Sequence, residues 1–193
     1  MGHSTKLLLV AVIAALLLAV GGSAQANRSI RVSPTVQTSS AAVLTFEWEG
    51  TKITCEVVMR LRNNELVGKV LLTEVGTTTL EFRGCFGATL RALAERQPLT
   101  ISYVNFFGTL PGITAVGLEV RGFAFLLEAV AGAVRCLYSG PLRMLTVGTP
   151  ITSWRVDETR AIPLATRLGA TCPASVTVSG SIAHERAVTL TLV

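Results

Sequence analysis

Beyond residue 26 the chain holds one histidine, His184, and one aspartate, Asp157. Acid–base or nucleophilic chemistry therefore has a short stock to draw on. A serine–histidine–aspartate site would need both residues, since the histidine takes the nucleophile's proton and the aspartate orients the ring. No Gly-x-Ser-x-Gly elbow marks a nucleophile. His184 is followed directly by Glu185 and Arg186, which reads as a solvated turn residue rather than a base. Glu47 and Glu49 stand two apart on one face of an extended segment, about 6 to 7 Å from each other, a separation that glycoside hydrolysis could use. Plain amphipathic patterning produces the same pair on a solvated strand face. Asp157 and Glu158, flanked by Arg155 and Arg160, read as a charged loop, with calcium coordination as the chemical alternative. These residues assign no catalytic set, so the chain is expected not to be an enzyme; a secreted hydrolase using scattered carboxylates is the alternative.

Cys55, Cys85, Cys136 and Cys172 make an even set, read as two disulfides formed in an oxidising compartment. Of the three pairings, Cys55 with Cys85 and Cys136 with Cys172 are favoured because each closes a modest loop, whereas crossed pairings tie distant halves together. No Cys-x-x-Cys occurs and only one histidine accompanies the cysteines, so no metal is expected. Nothing implies a cofactor. Candidate ligand contacts are apolar: Trp154 in a loop-like stretch, then Phe107 and Leu110 beside the Pro111-Gly112 turn. The alternative for residues 106–113 is that the phenylalanines alternate into the core and Leu110 caps one end of it. Cations are scattered and interrupted by acids, so no nucleic-acid partner is expected. The partner is instead an unidentified ligand or envelope component, and the oligomeric state is not specified.

The elements that must position these side chains are strands. In residues 43–49, Leu44, Phe46 and Trp48 alternate with Thr45, Glu47 and Glu49, the pattern of a half-buried strand. Glu49-Gly50-Thr51 turns the chain, and Ile53, Cys55, Val57, Met59 and Leu61 then share one face. Asn63-Asn64 suits a tight hairpin, with residues 66–73 returning alongside. Further strands are expected at 78–83, 99–106, 113–125, 134–138, 142–147, 175–183 and 188–193. Residues 126–133, rich in Ala and Leu, are the exception and could form one or two helical turns. Frequent Gly and Pro turns give an all-β fold, an antiparallel β-sandwich of Ig-like or Greek-key type with about 9–10 strands, with a β-barrel as the alternative.

The opening residues read as an export signal. Lys6 precedes 14 uninterrupted apolar residues, 7–20, and Ala24-Gln25-Ala26 supplies the small-residue cleavage pattern. An uncleaved anchor is the rival reading, but 14 helical residues reach only about 21 Å against a hydrocarbon core of roughly 30 Å. No cysteine lies near the join to accept a lipid. Removal leaves 167 residues, net charge +4 and no second span. Residues 27–41, rich in Ser and Thr and opening on the Asn27-Arg28-Ser29 sequon, read as a flexible arm, and residues 42–193 as one domain. The expected location is secreted, outside the cell.

The leader, Leu44-Thr45-Phe46, Ile53-Thr54-Cys55-Glu56-Val57, Phe107-Gly108-Thr109-Leu110-Pro111-Gly112-Ile113, Cys136-Leu137-Tyr138 and Asp157-Glu158-Thr159-Arg160 together give the chain a likeness covering nearly all of its mature part. It resembles a group of uncharacterised exported, β-rich, disulfide-containing proteins common in high-GC soil bacteria. The resemblance implies no activity.

If the leader is removed at this join, mass spectrometry of the exported protein will find Asn27 at its amino terminus. Intact Met1 in the membrane fraction would contradict removal.

Overall fold

The computed structural model of the chain describes residues 29–68, 70–86, 90–95, 97–107, 114–129, 135–147, 150–157, 160–168 and 171–192. The leader and residues 27–28 lie outside them. Fourteen strands run through the described residues: β1 (Ile30–Ser33), β2 (Val36–Trp48), β3 (Thr51–Asn63), β4 (Leu66–Val67), β5 (Glu74–Phe86), β6 (Leu90–Glu95), β7 (Leu99–Phe107), β8 (Ala115–Arg121), β9 (Ala124–Ala129), β10 (Arg135–Ser139), β11 (Leu142–Val147), β12 (Ile151–Val156), β13 (Ala161–Leu168) and β14 (Ser175–Leu192). Strict alternation explains β3: Ile53, Cys55, Val57, Met59 and Leu61 are all buried, while Lys52, Glu56, Arg60 and Arg62 are exposed. The turn into β3 uses Glu49 at φ 45° and Gly50 at φ 80°, the paired positive φ values of a two-residue hairpin.

Eight strands close on themselves. Hydrogen bonding runs β12, β11, β8, β7, β5, β3, β2, β14, and β14 returns to β12, every pairing being antiparallel. The β-sandwich expectation is therefore corrected to its barrel alternative. The physical reason lies in β14. The segments expected at 175–183 and 188–193 are one strand of 18 residues, long enough to pair with β2 on one side and with β12 and β13 on the other. An eight-stranded barrel has an interior that side chains just fill, and Leu44, Phe46, Met59, Leu61, Ile101, Val120 and Ile182 fill it.

Three local expectations are also corrected. Residues 30–40, expected within a flexible arm, form β1 and the start of β2. Ile30 and Val32 are buried, and β1 pairs with both β14 and β4. Asn63 and Asn64 do not turn the chain. Their side chains donate to Pro34 O and Glu74 O, β4 continues the line of β3 beside β1, and the return is made by β5. Residues 124–129, overlapping the expected helical turns, form β9 between β6 and β10. Pairing on both edges overrides a weak local preference for helix.

Beyond β14 the strands β13, β10, β9 and β6 extend the sheet outside the barrel. Their aromatic residues join the core next to the β2–β3 turn. Phe125 lies 4.6 Å from Phe46, 5.2 Å from Tyr138 and 5.5 Å from Phe123 between ring centroids. The Tyr138 hydroxyl donates to Pro173 O at 3.0 Å. Cys55 is joined to Cys85 across β3 and β5, and Cys136 on β10 to Cys172 ahead of β14, the pairing that loop length favours. Among the described residues no helix is long and apolar enough to cross a membrane.

Closure leaves little room at Gly180, which sits at φ 134° opposite Leu44, where an added Cβ would overlap the Val43 carbonyl oxygen. Gly180→Ala is expected to destabilise the fold by about 2 kcal/mol or more, since the conflict is with backbone and the φ is costly for any residue with a Cβ. Urea unfolding measures this; an unchanged midpoint would contradict it.

Candidate functional site

β7, β8, β11 and β12 lie side by side, and their register aligns Asn105, Gly117, Leu145 and Arg155 in one row. The neighbouring residues Val116, Leu118, Met144, Trp154 and Val156 are buried toward the interior, so alternation puts this row on the outer face. At its middle, position 117 carries no side chain. The result is a groove of about 540 Å³, within the usual size of a small-molecule site. Asn105 and Phe107 form one wall, Arg143, Leu145, Arg155 and Asp157 the other, with Leu118, Met144 and Val156 reaching its floor.

The walls combine apolar and cationic chemistry. Phe107 is 49% and Leu145 37% exposed, and both are among the few large apolar side chains left open to solvent. Arg155 is exposed and takes part in none of the ion pairs of the described residues. Arg143 is held differently. Its Nε lies 3.3 Å from a Glu119 carboxylate that Arg121 also contacts at 3.4 Å, and the Glu119 side chain is only 12% exposed. This cluster fixes β11 to β8 at the groove's edge, and the Asp157 N–H, which donates to Arg143 O, ties the end of β12 to β11. A Cβ at 117 would displace the end of the Asn105 side chain, whose Oδ1 lies over the glycine. The Asn105 amide thus lies across the glycine and offers a polar group to whatever occupies the groove.

The candidates read from the sequence separate in the structure. Phe107 lines the groove, whereas Leu110 and Glu158 lie outside the described residues. Trp154 is not in a loop: it belongs to β12, is 4% exposed and turns inward, although the next residue, Arg155, faces the groove. His184 is not a solvated turn residue. Its ring packs edge-on against Trp154 at 5.0 Å, and both ring nitrogens are buried without a hydrogen-bond partner. Burial alone pushes its pKa down to about 4. Glu47 pairs with Lys52 at 3.1 Å on the outer surface. His184 lies seven positions along β14 from Thr177, opposite Glu47, roughly 23 Å along an extended strand. Asp157 lines the outer groove, whereas His184 packs against the inward-facing Trp154. Among the described residues no three metal-binding side chains cluster.

A second space lies inside the barrel, a cavity of about 50 Å³ walled by Tyr103, Val116, Leu118, Thr146, Trp154 and Val188 among others. It is too small for an organic ligand. Thr146 is satisfied by the Val116 backbone; the Tyr103 hydroxyl is buried without a partner, and its pKa is raised by that burial.

Sequence reasoning missed Asn105, Gly117, Arg143 and Leu145. One signal was present, a glycine inside an otherwise regular strand pattern, which marks a bulge or a close approach. The cross-strand row itself has no trace in local spacing.

His184 makes stability depend on pH with a definite sign. The unfolded ring takes a proton near pH 6.5 and the folded one only near 4. The unfolded state therefore binds more protons between these values, and stability falls as pH drops from 6.5 to 4. Replacing His184 by Leu is expected to flatten that part of the profile relative to wild type, read by chemical denaturation at several pH values; parallel profiles would contradict it.

No family model matches the chain, and no curated protein or solved structure matches it.

Proposed function

We propose that the protein is an exported, non-catalytic binding module that holds a small organic acid in the outer groove. The observation that carries this reading is the juxtaposition of exposed Phe107 and Leu145 with Arg155, a cation that enters no ion pair of the described residues. An aromatic or aliphatic body would cover the two apolar side chains. Its carboxylate would meet the guanidinium, whose planar donors suit that geometry, and Asn105 would add a hydrogen bond from the opposite wall. The two disulfides support a life in an oxidising compartment. The separation of His184 from the carboxylates favours binding over the hydrolase alternative, because general acid–base chemistry needs its groups within reach of one substrate.

A panel of aromatic and aliphatic carboxylates, titrated against the protein by calorimetry, tests the reading. Phe107→Ala and Arg155→Ala should each weaken a bound acid by about 1 kcal/mol or more while melting stays unchanged, since both side chains are exposed. Gly117→Val should abolish binding at small cost to the fold, because it displaces only the end of Asn105 and fills the groove. Affinities indifferent to all three changes would remove the groove from the function. A turnover lost in Glu47→Gln or Asp157→Asn would favour the hydrolase instead.

A further inference from the structure

The barrel's other unusual surface is at the end where β1 and β4 pair. Leu66, Val70, Leu71 and Leu72 are 54%, 74%, 60% and 54% exposed, four aliphatic side chains within seven residues. Such clustering is unlike the scattered apolar residues of an ordinary surface. The backbone beneath them is firmly held. Leu72 N donates to Tyr103 O at 2.6 Å, the Thr73 hydroxyl to Val70 O at 2.6 Å, and Tyr103 N to Thr73 O at 2.9 Å. Leu72 sits at φ 66°, an uncommon conformation for a bulky residue. The turn is thus fixed with its apolar side chains facing water, although nothing in its local chemistry requires them there.

What would cover this tip is indicated by where the chain enters the fold. Ile30, the first residue of β1, pairs with Val67, so Ser29 emerges beside the tip. Only residues 21–29 separate it from the apolar run 7–20, a reach of at most about 30 Å even fully extended. A bilayer engaged by that run during export therefore lies within reach of this end of the barrel. A second copy is a poorer occupant. Four side chains on one protruding turn fall well short of the roughly 20 to 30 residues and 800 Å² that each partner commits to a stable protein interface. They suit shallow burial at a lipid surface, where binding scales with the apolar area inserted. The ion pair of Arg31 with Glu65, at 3.8 Å, flanks the tip.

We infer that the turn carrying Val70, Leu71 and Leu72 is a membrane-docking tip, which rests the β1–β4 end of the barrel on a lipid surface without crossing it.

Flotation of the chain from Asn27 onward tests this, since that chain contains every described strand and lacks the leader's own affinity for lipid. The probes are vesicles of phosphatidylcholine alone and of phosphatidylcholine mixed with phosphatidylglycerol. The protein should float with at least one vesicle type. The double variant Val70→Asp, Leu71→Asp should lower the bound fraction about tenfold or more, because each change replaces inserted apolar area with a charge. Its melting temperature should be unchanged, and the groove variant Leu145→Asp should float like wild type. Wild type remaining soluble with both vesicle types would overturn the inference, as would undiminished flotation of the double variant. Concentration-dependent dimers dispersed by the double variant would also overturn it, by assigning the tip to a second copy.

Discussion

An antiparallel sheet that ends in free edges leaves rows of unpaired N–H and C=O groups, and here the pairing of β14 with β12 removes them from the eight-stranded ring. The rest of the molecule depends on that one seam. It turns the inner faces of β2, β3, β7, β8, β11 and β14 toward one another, so that their apolar residues form a single cluster. It also forces β14 to serve several neighbours, with β2 on one side, β12 and β13 on the other, and β1 at its far end. On its β2 side Gly180 approaches the Val43 backbone so closely that the strand has no room for a Cβ. The seam is also where regularity fails. The register shifts between Ile151 and Ser153, and His184 lies among the β14 residues spanned by that shift, with its nitrogens unsatisfied.

The two ends of the barrel are finished differently. Near the β2–β3 turn, the aromatic residues of β9 and β10 stack onto Phe46 and leave no space. At the opposite end β1 and β4 lengthen the walls, but the side chains there, Ile30, Val32, Val67, Val75 and Leu190, do not quite meet, and the small internal cavity remains. Stacked rings fill one end, whereas at the other branched aliphatics mixed with the Tyr103 and Trp154 rings leave a gap. The disulfides reinforce the filled end: Cys55 and Cys136 are both buried members of the core cluster.

Local pattern made some of this legible. The alternation of β3, the Glu49-Gly50 turn and the inward Cys55 could be read from residues near one another in the chain, and the disulfide partners from the loop lengths that each pairing closes. β12 could not, because Ile151, Trp154 and Val156 are its buried positions, and two consecutive exposed residues break the alternation. β13 was obscured by Pro163, which normally argues against a strand but is placed here at the end of a three-residue pairing with β14. His184 was misread for a related reason. Its neighbours Glu185 and Arg186 are exposed, as their types demand, yet the ring turns inward against Trp154 from a strand that pairs with it only through the closure of the barrel. Sheet type, sandwich or barrel, was hidden by the same fact: closure is a relation between residues some thirty positions apart, and no local period encodes it.

The filled interior decides where ligand-sized space can exist. Eight strands leave a lumen that side chains occupy almost completely, and the 50 Å³ that remain are too few for an organic molecule. A pocket of useful size must therefore be made on the outside, where a barrel wall is convex and ordinarily offers none. Omitting one side chain overcomes the convexity. Gly117, flanked across the sheet by Asn105 and Leu145, lowers the middle of a four-strand row while its neighbours stay at full height. The closed barrel makes such a groove rigid, since its floor is the back of a packed core formed by Leu118, Met144 and Val156. A site built on strands in this way holds its geometry without paying to order a loop, which is the condition for small apolar and cationic groups to recognise a ligand selectively.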